Sequence, residues 1–140
     1  MVRRGAAAGA VAATVWWAAD PLLKRAFGTP YADSEFVGPF LTRGSLEPLA
    51  NLVTHAGNGA GFGALFGHLG LGGVRAGVGA ALAENALLWP LIGVAERFHP
   101  KRRDGTWPPL ARNPRAFAAA TAGHALFGAV LGLLTRKAEG

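Results

Sequence analysis

The sequence predicts an all-α protein, a four-helix transmembrane bundle forming one integral membrane domain over residues 1–140. Three observations predict it. Hydrophobic residues make up 51% of the chain and charged ones only 16%, well under the roughly one quarter usual in soluble domains. The apolar residues gather into four stretches, each near the roughly 20 residues a spanning helix needs. The cations lie between those stretches and not along one polar face, the pattern of basic flanks at membrane boundaries.

The first span is expected over about residues 5–27. "MVRR" before an Ala-rich run imitates the basic and apolar parts of a signal peptide. Trp16 and Trp17, however, stand where small residues must precede a cut near Ala19, and no A-x-A lies just before Asp20. The segment therefore reads as a retained helix. The next connection, "GTPYADSEFVGPFLTRG", is longer than a helix–helix link requires. Phe36, Val37, Phe40 and Leu41 suit a short piece along the membrane surface, and a cap over the bundle end suits the stretch equally.

The second span is drawn over residues 46–71, with Ser45 as its cap and Glu47 and Pro48 in its first turn. The third covers 74–98, and His99-Pro100 reads as its stop. The fourth covers 114–134, with Asn113 as cap and Pro114 at the first position. Pro21 and Pro90 each remove a backbone hydrogen bond late in a helix and predict kinks. Asp20 and Glu96 fall near helix ends beside Lys24, Arg25 and Arg97, as interfacial salt bridges do.

The connection "HPKRRDGTWPPLARNPR" is the most basic part of the chain. Lys101, Arg102 and Arg103 are candidates to contact anionic lipid headgroups or an acidic partner, with Trp107 in the membrane interface. The alternative is that these charges only set topology. Nine cations (Lys24, Arg25, Arg43, Arg97, Lys101, Arg102, Arg103, Arg112 and Arg115) lie on the side of the two long connections. Five (Arg3, Arg4, Arg75, Arg136 and Lys137) lie on the other. The excess favours cytoplasmic long connections and outer termini, although the Arg3-Arg4 pair pulls the other way.

Two internal likenesses suggest duplication. "GAVAATVWWAADPLLKRAF" parallels "GVGAALAENALLWPLIGVAERF", and "ALFGHLGL" parallels "ALFGAVLGLL". Two pseudo-repeated helical hairpins would follow, although matches this short and Ala/Gly-rich also arise by chance.

The chemistry lies in polar residues at mid-span. Asn58, Glu84 and His124 fall near the middles of the second, third and fourth spans, with His55 one turn from Asn58. A charge there costs about 2.5–3.5 kcal/mol even on the insertion scale for Asp, so Glu84 is expected to face the bundle and to pair or take up a proton. Helical spacing agrees. Asn51, His55, Asn58 and Phe62 share one face, as do Gly77, Ala81, Glu84 and Leu88, and Thr121, His124 and Gly128. Asn85 lies one residue round from Glu84, on a different face. Gly59, Gly63 and Gly67, with Gly77, Gly128 and Gly132, form the small-residue spacing at which membrane helices approach closely.

Three function classes follow. Interhelical hydrogen bonds between Asn, His and Glu hold small bundles together at about 0.6 kcal/mol each. That suits a non-enzymatic accessory or assembly subunit, packing through its Gly/Ala faces as a homo-oligomer or within a larger membrane complex. Alternatively, Glu84, His124 and His55 form a proton or cation path. A third class is a haem or pigment carrier through a membrane histidine, but His55 and His68 lie on different faces and a bis-His haem needs opposed partners. No cofactor and no metal are expected. No helix carries the E-x-x-H pair of di-iron bundles, and with no cysteine there is no thiolate site. The net charge of +6 is spread between apolar runs, against a nucleic-acid footprint. No nucleophile elbow or phosphate-binding glycine loop points to an enzyme.

"PYAD", "HAGNGAGFG", "ENALLWP", "RFHP", "NPRAF" and "HALFGAVLG", in this order, resemble a group of small uncharacterised bacterial integral membrane proteins. The likeness runs from about Asp20 to Leu134. It implies four helices in a bacterial cytoplasmic (inner) membrane and carries no catalytic role to any residue.

Overall fold

A computed structural model describes residues 1–136 of the chain. Among them there are six α-helices and no strand. The helices are α1 (Val2–Phe27), α2 (Gly38–Leu41), α3 (Glu47–His68), α4 (Val74–Ala95), α5 (Pro100–Arg103) and α6 (Pro114–Thr135), with single 3₁₀ turns at Asp33–Glu35 and Gly44–Leu46. Three helices, α1, α4 and α6, are long and apolar enough to cross a membrane. The sequence reading draws four spans. α3 matches α4 and α6 in length, but Asn51, Thr54, His55 and Asn58 dilute its apolar character.

Helix ends explain most boundary differences. α1 begins at Val2, not near Gly5. From its first turn Arg4 donates through Nε and Nη2 to the Leu134 carbonyl, at 3.3 and 3.1 Å, satisfying an orphan group at the end of α6. Asn113 caps α6 as its sequence predicts, accepting from the Arg115 and Ala116 amides at 3.1 Å each. Ser45 does not cap α3. It lies inside the Gly44–Leu46 turn, and no side chain caps that helix. α3 stops at His68, and Gly70 and Gly73, at φ 69° and 86°, supply the left-handed turn conformations that glycine tolerates. α4 stops at Ala95, three residues short of the drawn span. Pro21 and Pro90 lie inside continuous helices.

α1 packs along α3, α4 packs along α6, and α1 meets α6. Glycines make the first two seams. A Cβ on Gly5 or Gly9 would collide with the backbone of Gly63 or Gly59, and one on Gly67 would collide with Met1. In the second seam Gly77 faces Gly128, and Gly132 faces Gly73 and Val74. Lipid is as apolar as a leucine side chain, so such seams hold by close van der Waals approach. The six glycines expected at helix contacts, Gly59, Gly63, Gly67, Gly77, Gly128 and Gly132, all lie in these seams, and the backbone they meet there belongs to the same chain. The inner faces carry Ala8, Ala12, Ala13 and Ala81 around Trp16, Phe66, Phe127 and Leu131. Large aliphatic side chains point outward, among them Leu22, Val53, Leu87, Leu91, Val94 and Leu133.

The two long connections form a cap at one end. Trp107, expected at the membrane interface, is 1% exposed. His99 stacks on it at 4.2 Å and 13°, while Tyr31 meets it edge-on at 4.9 Å. His99 Nε2 lies 2.9 Å from the Phe36 carbonyl and therefore carries the donated proton there. Its Nδ1 accepts from the Lys101 amide at 3.2 Å. Lys101, expected to contact headgroups, is buried and pairs with Glu35 at 2.7 Å and Glu47 at 2.9 Å. Burial pulls its ammonium pKa down, but those two carboxylates outweigh burial and raise it above the ordinary lysine value. Arg102 pairs with Glu96 at 3.1 Å and donates to the Trp107 carbonyl at 2.8 Å. Of the expected headgroup contacts only Arg103 is exposed.

The acids near the helix ends also differ from expectation. Glu96 pairs with Arg102, not Arg97, and accepts from the Leu110 and Ala111 amides at 2.6 and 3.2 Å. Asp20 makes no salt bridge among the described residues and accepts from the Ser34 hydroxyl. Lys24 pairs with Glu35 instead. Lys137, counted on the opposite side, lies outside the described residues.

Candidate functional site between two helices

α3 and α4 follow one another in the chain yet do not pack along each other. The space between them is a cavity of about 600 Å³, with α1 and α6 as its floor. The cavity gathers His55 and Asn58 from α3, Glu84 and Asn85 from α4, His124 from α6 and Trp16 from α1. All four residues singled out by depth and spacing, His55, Asn58, Glu84 and His124, therefore line one space. Asn85 lines it too. It is buried and donates to the Thr121 hydroxyl at 3.0 Å, which ties α4 to α6.

The closest ionisable pair is Glu84 and His124, with Oε2 3.8 Å from Nε2. His124 Nδ1 lies 2.8 Å from the Ala120 carbonyl. A carbonyl can only accept, so Nδ1 carries its proton there and Nε2 is the nitrogen left to gain or lose one. That nitrogen faces Glu84. The gap exceeds a hydrogen bond and lies within ion-pair range. Glu84 retains 36% side-chain exposure against 9% for His124, so the carboxylate is the accessible member.

Trp16 touches both histidines. Its ring meets His55 at 4.8 Å and 81° and His124 at 4.7 Å and 62°. Gly123 makes room for the indole, since a Cβ there would overlap it. His55 is 8% exposed, and its Nε2 has no hydrogen-bond partner. No three His, Asp or Glu side chains among the described residues converge as metal ligands. His68, at the end of α3, is exposed.

Spacing does not reveal Trp16 as a member of the site. Its signal is the one indole sharing a stripe with Gly5, Gly9 and Ala12. Nor does it reveal Asp33 and Ser34, which reach the cavity from the first connection. Comparison with protein-family models, curated proteins and solved structures finds no match.

Proposed function

We propose that the chain is a four-helix transmembrane protein of the bacterial cytoplasmic membrane that takes up or passes protons or cations at Glu84, with His124 and His55. One observation carries the reading: the three ionisable residues, from three different helices, meet at one cavity instead of being spent separately on helix contacts. Buried ionisable groups on membrane helices mark proton and ion sites by default. The apolar outward faces of α1, α4 and α6 support the membrane placement, and the resemblance to small bacterial membrane proteins supports the compartment. In this reading α3 is the fourth span, kept in the membrane by turning its polar face to the cavity. The two glycine seams support two related hairpins, and the excess of cations beside the long connections supports placing them in the cytoplasm.

The second reading is an accessory or assembly subunit. Its motivation was the Gly/Ala faces, and those are occupied within the chain, so the outward leucine and valine surface must serve any partner. Proton flux into proteoliposomes separates the two. We expect pH-driven flux with the parent and at least about a hundredfold loss with Glu84→Gln, the lower end of the scale on which removing a positioned acid or base acts. No flux in the parent, or unchanged flux in the variant, defeats the conduction reading.

A further inference from the structure

The cavity wall has a one-sided charge. Among the described residues its ionisable side chains are Glu84, Asp33, His55 and His124, with no lysine or arginine. The remaining lining is largely apolar and aromatic, with Trp16, Phe62, Trp89 and Phe127 around the space. Cations are attracted to aromatic faces, most strongly when desolvated. The volume of about 600 Å³ falls within the roughly 300–1,000 Å³ of small-molecule sites. At the mouth, Leu65, Leu88 and Leu91 line the cavity and are more than half exposed. In a bilayer that mouth opens towards hydrocarbon.

We propose that the space between α3 and α4 binds an organic cation with an apolar body, a lipophilic ammonium or phosphonium, with Glu84 as counter-ion and the aromatic wall around it. The proposal rests on the membrane and proton reading above and names its ligand class. An anion meets two carboxylates and no fixed positive charge. An inorganic cation meets no three converging His, Asp or Glu side chains among the described residues and much aromatic surface. A cation with an apolar body satisfies both parts of the lining and reaches it through the hydrocarbon-facing mouth.

Proton and ligand then compete for one carboxylate. Glu84 shares the cavity with His124 from α6, His55 from α3 and Asp33 from the first connection, while α1 contributes Ala13 and Trp16, neither of them titratable. A proton taken up by the Glu84 carboxylate removes the counter-ion and so weakens a cation. Affinity therefore rises with pH.

Tetraphenylphosphonium and tetraphenylborate have the same shape and opposite charge, and they provide the test. Binding to the full chain in mild detergent is read by quenching of tryptophan fluorescence, with protein-free micelles as the partition control. The phosphonium is expected to bind at least about tenfold more tightly than the borate, a difference of about 1.4 kcal/mol, and more tightly at pH 8 than at pH 5.5. Glu84→Gln, checked for fold by circular dichroism, is expected to lose at least about tenfold in affinity together with the pH dependence. Should that variant fail to fold, the charge preference and pH dependence of the parent still decide. Equal binding of both ions, or unchanged binding by a folded Glu84→Gln, overturns the proposal. Proton flux without phosphonium binding overturns the ligand site and leaves the proton reading. Phosphonium binding without flux supports the site and overturns conduction.

Discussion

Two histidine–tryptophan clusters invite comparison. In the cap, His99 stacks flat on Trp107 and uses both ring nitrogens, one on the Phe36 carbonyl and one on the Lys101 amide. Between the long helices, His55 and His124 meet Trp16 edge-on, and their Nε2 atoms make no hydrogen bond among the described residues. The same residue types thus do different work. A histidine with both nitrogens engaged fixes backbone. One with an idle nitrogen at a cavity holding a carboxylate retains chemistry to perform. The difference teaches that a histidine's partners, not its depth, separate architecture from candidate site.

Substitutions can break this distinction. The largest effect is expected from Trp107→Ala, which removes a buried ring that Tyr31, Phe36 and His99 all touch. A loss of about 3–5 kcal/mol is expected, read as a fall in thermal midpoint in detergent. Gly123→Ala drives a methyl group into Trp16 and should cost about 1–3 kcal/mol by overpacking. Its tryptophan emission should shift as the indole is displaced, and an unaltered spectrum would count against the Trp16 wedge.

His99→Leu leaves the Phe36 carbonyl and the Lys101 amide without partners and should cost about 1–3 kcal/mol. Its counterpart His55→Leu removes a nitrogen that has no partner, and should change stability by less than about 1 kcal/mol. Equal losses at the two sites, measured by the same unfolding assay, would erase the comparison.

The smallest effect is one of pH. Burial holds the His99 imidazole below the ordinary histidine value, against the bond to the Phe36 carbonyl and with Lys101 and Arg43 adding to the depression. Below about pH 6.5 the unfolded chain therefore binds a proton that the folded cap refuses. Stability should fall as pH drops from 7.5 to 5.5, and His99→Gln should flatten that slope in a thermal-shift series.

The long helices are legible because apolar content and period are local properties of the chain. The Asn113 cap is legible for the same reason, since it acts within one turn. The mid-span stripe follows from helical spacing alone, which is why His55, Asn58, Glu84 and His124 could be grouped before any packing was known. What spacing cannot supply is which face meets which. The glycine stripes show that close approach occurs but not that the neighbour is another part of the same chain. Lys101 and Arg102 read as free surface charges because their acids, Glu35, Glu47 and Glu96, lie on other elements; the Lys101–Glu35 pair joins positions 66 residues apart in sequence. Trp107 looked interfacial because its covering rings, Tyr31 and Phe36, come from the other connection. Glu84 and Asn85 point in different directions round α4, yet a cavity wide enough to touch both makes the separation immaterial.

The meeting of α1 with α6 carries a consequence for biogenesis. α4 emerges from the ribosome next to α3, with which it does not pack, and its glycine seam is completed only by α6. Until then Glu84 has no His124, and the Trp16 indole has no Gly123 to rest on. Helices one and three can associate early, while the second half waits for the last segment of the chain. A nascent chain halted before Pro114 should therefore expose an unpaired carboxyl group on an apolar helix.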